Sequence, residues 1–192
     1  LRAVERLLEM HPAWIGRFTF IQIAAPTRSR IEHYRHYEER VRALAARVNE
    51  RFARGDRPPP ILLKVQHHQP DAIYEHYRAA DVCMVTSLHD GMNLVAKEFV
   101  SARDDDRGVL ILSQFTGAAR ELPEAPIVNP YDIDQCAAAL NLALTMPQAD
   151  QRGRMRLMPG LVGEFNVDRW AGRMLLDAAR MRRRDRVLER AT

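Results

Sequence analysis

An α/β fold is predicted, with a parallel sheet covered by helices on both faces. Short apolar strands alternate with helical patterns along the chain, which is the signature of such a sheet. The 192 residues give room for one domain with a sizeable core, and the apolar (46%) and charged (28%) fractions are ordinary for a globular protein.

The elements follow in order. Leu1, Val4, Leu7 and Leu8 recur at helical spacing and predict a helix over residues 1–10. An apolar run predicts a strand over 18–24. A long polar helix is expected over 31–53, with Tyr34, Val41, Leu44, Ala45 and Val48 on one side, ended by Gly55 and Pro58-Pro59-Pro60. A strand over 61–65 precedes a helix over 71–80, and a strand over 82–86 precedes a helix over 93–102. A strand over 109–112, a short helix over 118–122, a short strand over 125–128 and a helix over 132–144 complete the alternation. The remainder reads as helical with a break near Pro159-Gly160. No internal repeat or low-complexity linker interrupts the pattern.

Charge and cysteine content narrow the function classes. A formal net charge of +4 suits an anionic ligand without demanding nucleic acid. The basic run from Arg180 to Arg190 lacks interleaved aromatics, so it reads as a solvated helix face rather than a nucleic-acid contact. Cys83 and Cys136 lie far apart in apolar settings, as buried thiols of a reduced cytoplasmic protein do. No apolar run is long enough to cross a bilayer and no signal peptide is visible. Trp170, Ala171, Met174 and Leu175 form an apolar stripe of the kind that packs in a core.

Ligands of open parallel sheets bind at the carboxyl ends of the strands. Arg28 follows the first expected strand, His67 and His68 the second, and Asp90-Gly91-Met92-Asn93 the third, so topology gathers them into one crevice. The third segment is the most informative. A strand, a glycine turn and a helix start make an anion site, because first-turn N–H groups are unpaired and the helix dipole favours negative charge there. Gly91 lets a ligand approach closely, and Met92, Asn93 and Leu94 are expected to offer backbone N–H groups to a diphosphate. Glu98 shares a face with Leu94 and leans back toward the helix start, where an acid suits paired sugar hydroxyls. That outlines a nucleotide-sugar site. A plain helix start capped by Asp90 is the competing reading. Lys97 reads as structural or surface. His67-His68 invites a metal reading, but no Cys or Asp cluster completes a zinc site, so no metal is expected.

The run AADVCMVTSLHDGMNLVAKEFV at 79–100 resembles the nucleotide-sugar motif of trehalose-6-phosphate synthases, which are retaining GT-B glycosyltransferases. The likeness continues through GVLILSQFTGAARELP at 108–123, Val128-Asn129-Pro130-Tyr131-Asp132 and Ala143-Leu144-Thr145-Met146-Pro147. Upstream, Ile21-Gln22-Ile23-Ala24, Pro26-Thr27-Arg28 and Tyr34 match in order. The resemblance implies a Rossmann-like domain, the C-terminal half of a GT-B fold, with a nucleotide-sugar unit at 1–155 and C-terminal helices at 156–192 that pack toward an N-terminal domain of the same protein, so that part of the Trp170 stripe is expected to be exposed in this chain. The helix already under way at Leu1 is expected to follow that domain, which would carry an Arg/Lys loop for the donor diphosphate; without it the chain alone is expected to be inactive.

The implied reaction moves glucose from UDP-glucose to glucose 6-phosphate with retention. It proceeds on one face of the sugar with no protein nucleophile, the leaving diphosphate taking the acceptor proton, and without a metal. Asp90 would act at the reaction centre by contacting the donor glucose hydroxyls, Glu98 would take the ribose hydroxyls, His68 would flank the base, and Arg28 would hold the acceptor phosphate. Two departures remove fixed positive charge: His89 stands where the family commonly has arginine, and Pro70 where its loop can carry one. They keep open a different acceptor, such as glycerol 3-phosphate in glucosylglycerol-phosphate synthases, and a non-catalytic nucleotide-sugar-binding module. Homo-oligomerisation is left open; no membrane or nucleic-acid partner is expected.

Overall fold

A computed structural model of the protein describes residues 1–26, 32–164 and 167–191, with side chains through residue 182. The alternation expected from sequence is present. The elements are α1 (Arg2–Met10), β1 (Phe20–Ala24), α2 (Glu32–Phe52), β2 (Ile61–Val65), α3 (Pro70–Ala79), β3 (Val82–Val85), α4 (Leu94–Ala102), β4 (Val109–Ser113), α5 (Ala118–Glu121), β5 (Ile127–Val128), α6 (Ile133–Thr145), α7 (Gln148–Glu164) and α8 (Val167–Ala191). A single 3-10 turn, Pro12–Trp14, follows α1.

All paired strands are parallel. Strand β4 is buried at every position, and its side chains divide by parity. Val109 and Ile111 join Val4, Leu7, Leu8, Val48 and Leu140 from α1, α2 and α6. Leu110 and Leu112 join Phe99, Val100, Met155 and Met158 from α4 and α7. This is the period of two imposed by the pleat, and it puts helices on both faces.

The expected parallel sheet is present, and among the described residues its strands form two hydrogen-bonded ladders, β1-β2 and β3-β4-β5. A cavity of about 720 Å³ opens where they part, lined in part by Phe20, Gln22, Met84 and Thr86. Phe20 and Met84 still pack on the same core cluster, so shared burial holds the ladders together where hydrogen bonds do not. One expectation is corrected: no break occurs at Pro159, and α7 runs through it. A helical proline costs about 3 kcal/mol. Met155 and Met158 before it are fully buried, and Leu161 and Val162 after it pack on the same cluster, so burial on both sides overrides the local penalty. The Trp170, Met174 and Leu175 stripe, expected to pack as core with part of it exposed, is more than half exposed at all three positions on α8.

The two cysteines are free and lie on opposite faces of the sheet, Cys83 against the α4–α7 cluster and Cys136 in the α1–α6 cluster. No described helix is long and apolar enough to cross a membrane.

Candidate functional site

The Asp90 segment leaves β3 at its carboxyl end and is held there by main-chain bonds to the turn after β4. The Asp90 N–H donates to Phe115 O (3.2 Å), the Gly117 N–H to Asp90 O (3.0 Å) and the Ala118 N–H to Met92 O (2.9 Å). The first two of these bonds make Asp90 and Thr116 an isolated parallel β-bridge. The clasp is so close that a Cβ on Gly117 would lie 2.1 Å from the Gly91 carbonyl oxygen. Gly117 is therefore needed for this close contact, and sequence reasoning did not single it out. A glycine in the turn after a buried strand was the only local signal.

Side chains complete the turn. The Asp90 carboxylate accepts from the N–H groups of Met92 (3.1 Å) and Asn93 (2.9 Å) through Oδ1, and from Asn93 Nδ2 (2.9 Å) through Oδ2. Asn93 is buried in the left-handed region (φ 71°), which asparagine tolerates better than other side-chain-bearing residues. It is the N-cap of α4, its Oδ1 accepting from Ala96 N–H at 2.9 Å. With Met92 and Asn93 satisfied within the turn, the N–H groups of Leu94 and Val95 have no acceptor among the described residues. Both residues are exposed. Of the three N–H groups expected to face a diphosphate, those of Met92 and Asn93 are instead taken by Asp90 and that of Leu94 stays open; Val95 was not anticipated, because the observed cap at Asn93 defines which amides stay open.

Glu98 lies one turn beyond Leu94 on α4. Its Oε2 accepts from the Tyr77 hydroxyl at 3.2 Å. Burial, and then the Glu98 charge, push the Tyr77 phenol well above its ordinary range, so it remains a donor at neutral pH. Lys97 resolves to the structural of its two readings: its side chain is 12% exposed and its Nζ lies 2.6 Å from Glu121 Oε2 on α5.

His68 follows β2 at the same sheet edge, with its ring edge-on to His76 at 6.0 Å and its Nε2 buried without a partner among the described residues. No hydrogen bond joins it to the Asp90–Glu98 segment among the described residues. Pro70 occupies the first position of α3, where its fixed φ and missing N–H suit a helix start. His89 packs on Phe115 (5.8 Å), which in turn meets Tyr131 (5.9 Å), an aromatic row at the carboxyl ends of β3, β4 and β5. Arg28 lies outside the described residues. Among the described residues, no three His, Cys, Asp or Glu side chains converge as a metal site would require.

The sequence model of glycosyltransferase family 20 matches residues 1–180. The chain belongs to glycosyltransferase family 20. Within that family it is 43% identical over 176 residues to the trehalose-6-phosphate synthase of Salmonella arizonae, covering 91% of this chain and 37% of that protein. The structure superposes with a TM-score of 0.87, at 45% identity, on a UDP-forming alpha,alpha-trehalose-phosphate synthase from Burkholderia xenovorans in complex with glucose-6-phosphate, covering 92% of this chain and 39% of that one. An E. coli structure bound with UDP-2-fluoro glucose matches at a TM-score of 0.86 and 39% identity, over 91% of this chain and 39% of that one. The family 20 chain thus spans about two fifths of the length of the relatives it matches. Its parallel α/β fold is that of the part of these GT-B enzymes on which it superposes.

Proposed function

We propose that this chain is the donor-binding, C-terminal domain of a trehalose-6-phosphate synthase, which transfers glucose from UDP-glucose to glucose 6-phosphate with retention. The observation that carries the reading is the start of α4. Two open main-chain N–H groups, at Leu94 and Val95, share one helix end with a carboxylate one turn further in, at Glu98. Open amides and the helix dipole attract a diphosphate, and the carboxylate accepts hydrogen bonds from paired ribose hydroxyls. The relatives' bound glucose-6-phosphate and UDP-2-fluoro glucose support the same pair of substrates.

In this reading the protein contributes position and charge stabilisation. Asp90, fixed by three hydrogen bonds from within its own turn, meets the donor glucose hydroxyls at the reaction centre. Gly91, Met92 and Asn93 form the wall of the diphosphate site, His68 flanks the base, and Arg28 binds the acceptor phosphate. The leaving diphosphate charge falls on main-chain dipoles and protein cations, with no metal required. The exposed apolar residues of α8, Val167, Trp170, Met174 and Leu175, face the N-terminal domain that completes the enzyme.

Titration of UDP and UDP-glucose into the isotope-labelled chain, followed by NMR, tests the assignment, with ADP and GDP as controls. Uridine-selective shifts on Leu94, Val95 and Glu98 are expected, and Glu98→Ala should weaken UDP binding at least tenfold by loss of hydrogen bonds to a charged group. Unchanged UDP affinity in Glu98→Ala would count against a ribose role. No uridine-selective shifts in the folded chain would count against the donor site itself.

A further inference from the structure

We propose that Tyr77 is a positioning residue for the Glu98 carboxylate, and that it sets how strongly the site prefers a ribonucleotide over a deoxyribonucleotide. The inference rests on the donor-site reading of Glu98. Two helices from different βα units meet to make the contact: Tyr77 lies near the end of α3, Glu98 in the middle of α4, and the phenol O–H donates to Glu98 Oε2 at 3.2 Å.

The tyrosine is itself held from three sides. Its ring meets Phe99 edge-on at 6.1 Å, and Phe99 is fully buried. Tyr74 makes a second T-shaped contact with it at 6.2 Å. From α4's end, Arg103, with a side chain only 5% exposed, donates through Nη1 to the carbonyls of Tyr77 (2.8 Å), Arg78 (2.7 Å) and Ala80 (2.8 Å). The same guanidinium lies over Phe99 at 5.8 Å and is fixed by Asp105 through Nε and Nη2. These bonds close the carbonyl end of α3 onto α4, so the phenol oxygen has little freedom relative to Glu98.

A glutamate otherwise turns about three side-chain bonds, and freezing them as a ligand arrives weakens binding. Tyr77 restricts them beforehand. A carboxylate offers about four lone-pair positions. Tyr77 occupies one on Oε2, which leaves Oε1 and the rest of Oε2 for the two hydroxyls of a ribose. A sugar lacking one hydroxyl leaves a prepared acceptor unmatched, and a prepared acceptor discriminates more sharply than a mobile one.

Tyr77→Phe keeps the ring and removes the donor. Affinities of the full chain for UDP and 2′-deoxy-UDP are measured by NMR titration for the unsubstituted protein, Tyr77→Phe, Glu98→Gln and the double variant. Circular dichroism checks that each is folded. The expected result is a roughly three- to tenfold weaker UDP affinity in Tyr77→Phe, a smaller UDP to 2′-deoxy-UDP ratio, and a double variant no worse than Glu98→Gln alone. A purely structural tyrosine would lower both affinities together and leave the ratio intact, and that result overturns the proposal. If Glu98→Gln itself leaves the ratio unchanged, the ribose reading of Glu98 fails and the positioning role falls with it. A ratio that depends on Glu98 but not on Tyr77 overturns the positioning role alone.

Discussion

Gly117→Ala separates two physical effects that have opposite signs. Gly117 has φ −60° and ψ −37°, an ordinary right-handed conformation open to any residue. On backbone grounds alone, alanine should stabilise the protein by about 0.4–1 kcal/mol, since it restricts the unfolded chain. The tertiary contact says otherwise. The added Cβ would lie 2.1 Å from Gly91 O, 2.9 Å from Gly91 C and 3.3 Å from Met92 Cα, all main-chain atoms that cannot rotate away. Relief requires moving the 90–92 turn off the 116–118 turn, which weakens the Gly117 N–H to Asp90 O and Ala118 N–H to Met92 O bonds. Two such bonds are worth about 1 kcal/mol each, and overpacking adds about 1–3 kcal/mol. Subtracting the backbone gain leaves a net loss of about 2–4.6 kcal/mol. For a chain of this size that lowers Tm by roughly 5–15 °C. Thermal unfolding followed by circular dichroism measures it. Gly153→Ala is the control: Gly153 lies within α7 with nothing within 4 Å of an added Cβ, so about 0.8–1 kcal/mol of stabilisation is expected. A Gly117→Ala melting point equal to or above that of the unsubstituted protein would show that the clasp between the two turns is wrong.

Two further outcomes follow from the same geometry. At Asn93 the left-handed backbone and the cap on Ala96 are separable: Asn93→Ala loses both, whereas Asn93→Gly keeps the backbone, so urea unfolding should find the alanine variant less stable by about 1–2 kcal/mol; equal stabilities would remove the left-handed constraint from the account. Burial pushes the Cys83 thiol from 9.0 up to about 12. Its folded pKa being raised, the stability it contributes is intact below pH 9 and is lost as pH rises from 9 toward 12, because the unfolded chain releases the proton first. Urea midpoints should therefore fall less steeply over that interval in Cys83→Ala than in the unsubstituted protein, and parallel curves would show that the thiol is open to solvent.

Much of the fold was legible from residues close in sequence. The unbroken apolar run at 109–112 announced a strand of a sheet covered on both faces, and β4, one residue longer, is buried throughout. The apolar spacing of Val4, Leu7 and Leu8 announced the buried face of α1. Asp90 and Gly91 between a strand and an apolar helix marked the turn that leads into α4, although the residue that caps the helix is Asn93 and not Asp90. Each of these is set by the torsions and burial period of a few neighbouring residues, which a chain carries wherever it is placed.

What the tertiary structure decided are relations between distant segments. Pro159 argues locally for a helix end, yet the burial of Met155 and Met158 carries α7 through it. The apolar stripe at Trp170 argues locally for a core position, yet it lies exposed because no described segment covers it. Leu94 and Val95 keep open amides because α4 starts at Asn93, whose side chain caps Ala96, while the Asp90 carboxylate is taken up by Met92 and Asn93. Gly117 matters through an approach to Gly91 from 26 residues away, and Tyr77 through a carboxylate 21 residues away. Such contacts have no period in the sequence. They form when helices and turns, each locally specified, are pressed onto one sheet by burial of their apolar faces, and that packing alone determines which side chains come to share a site.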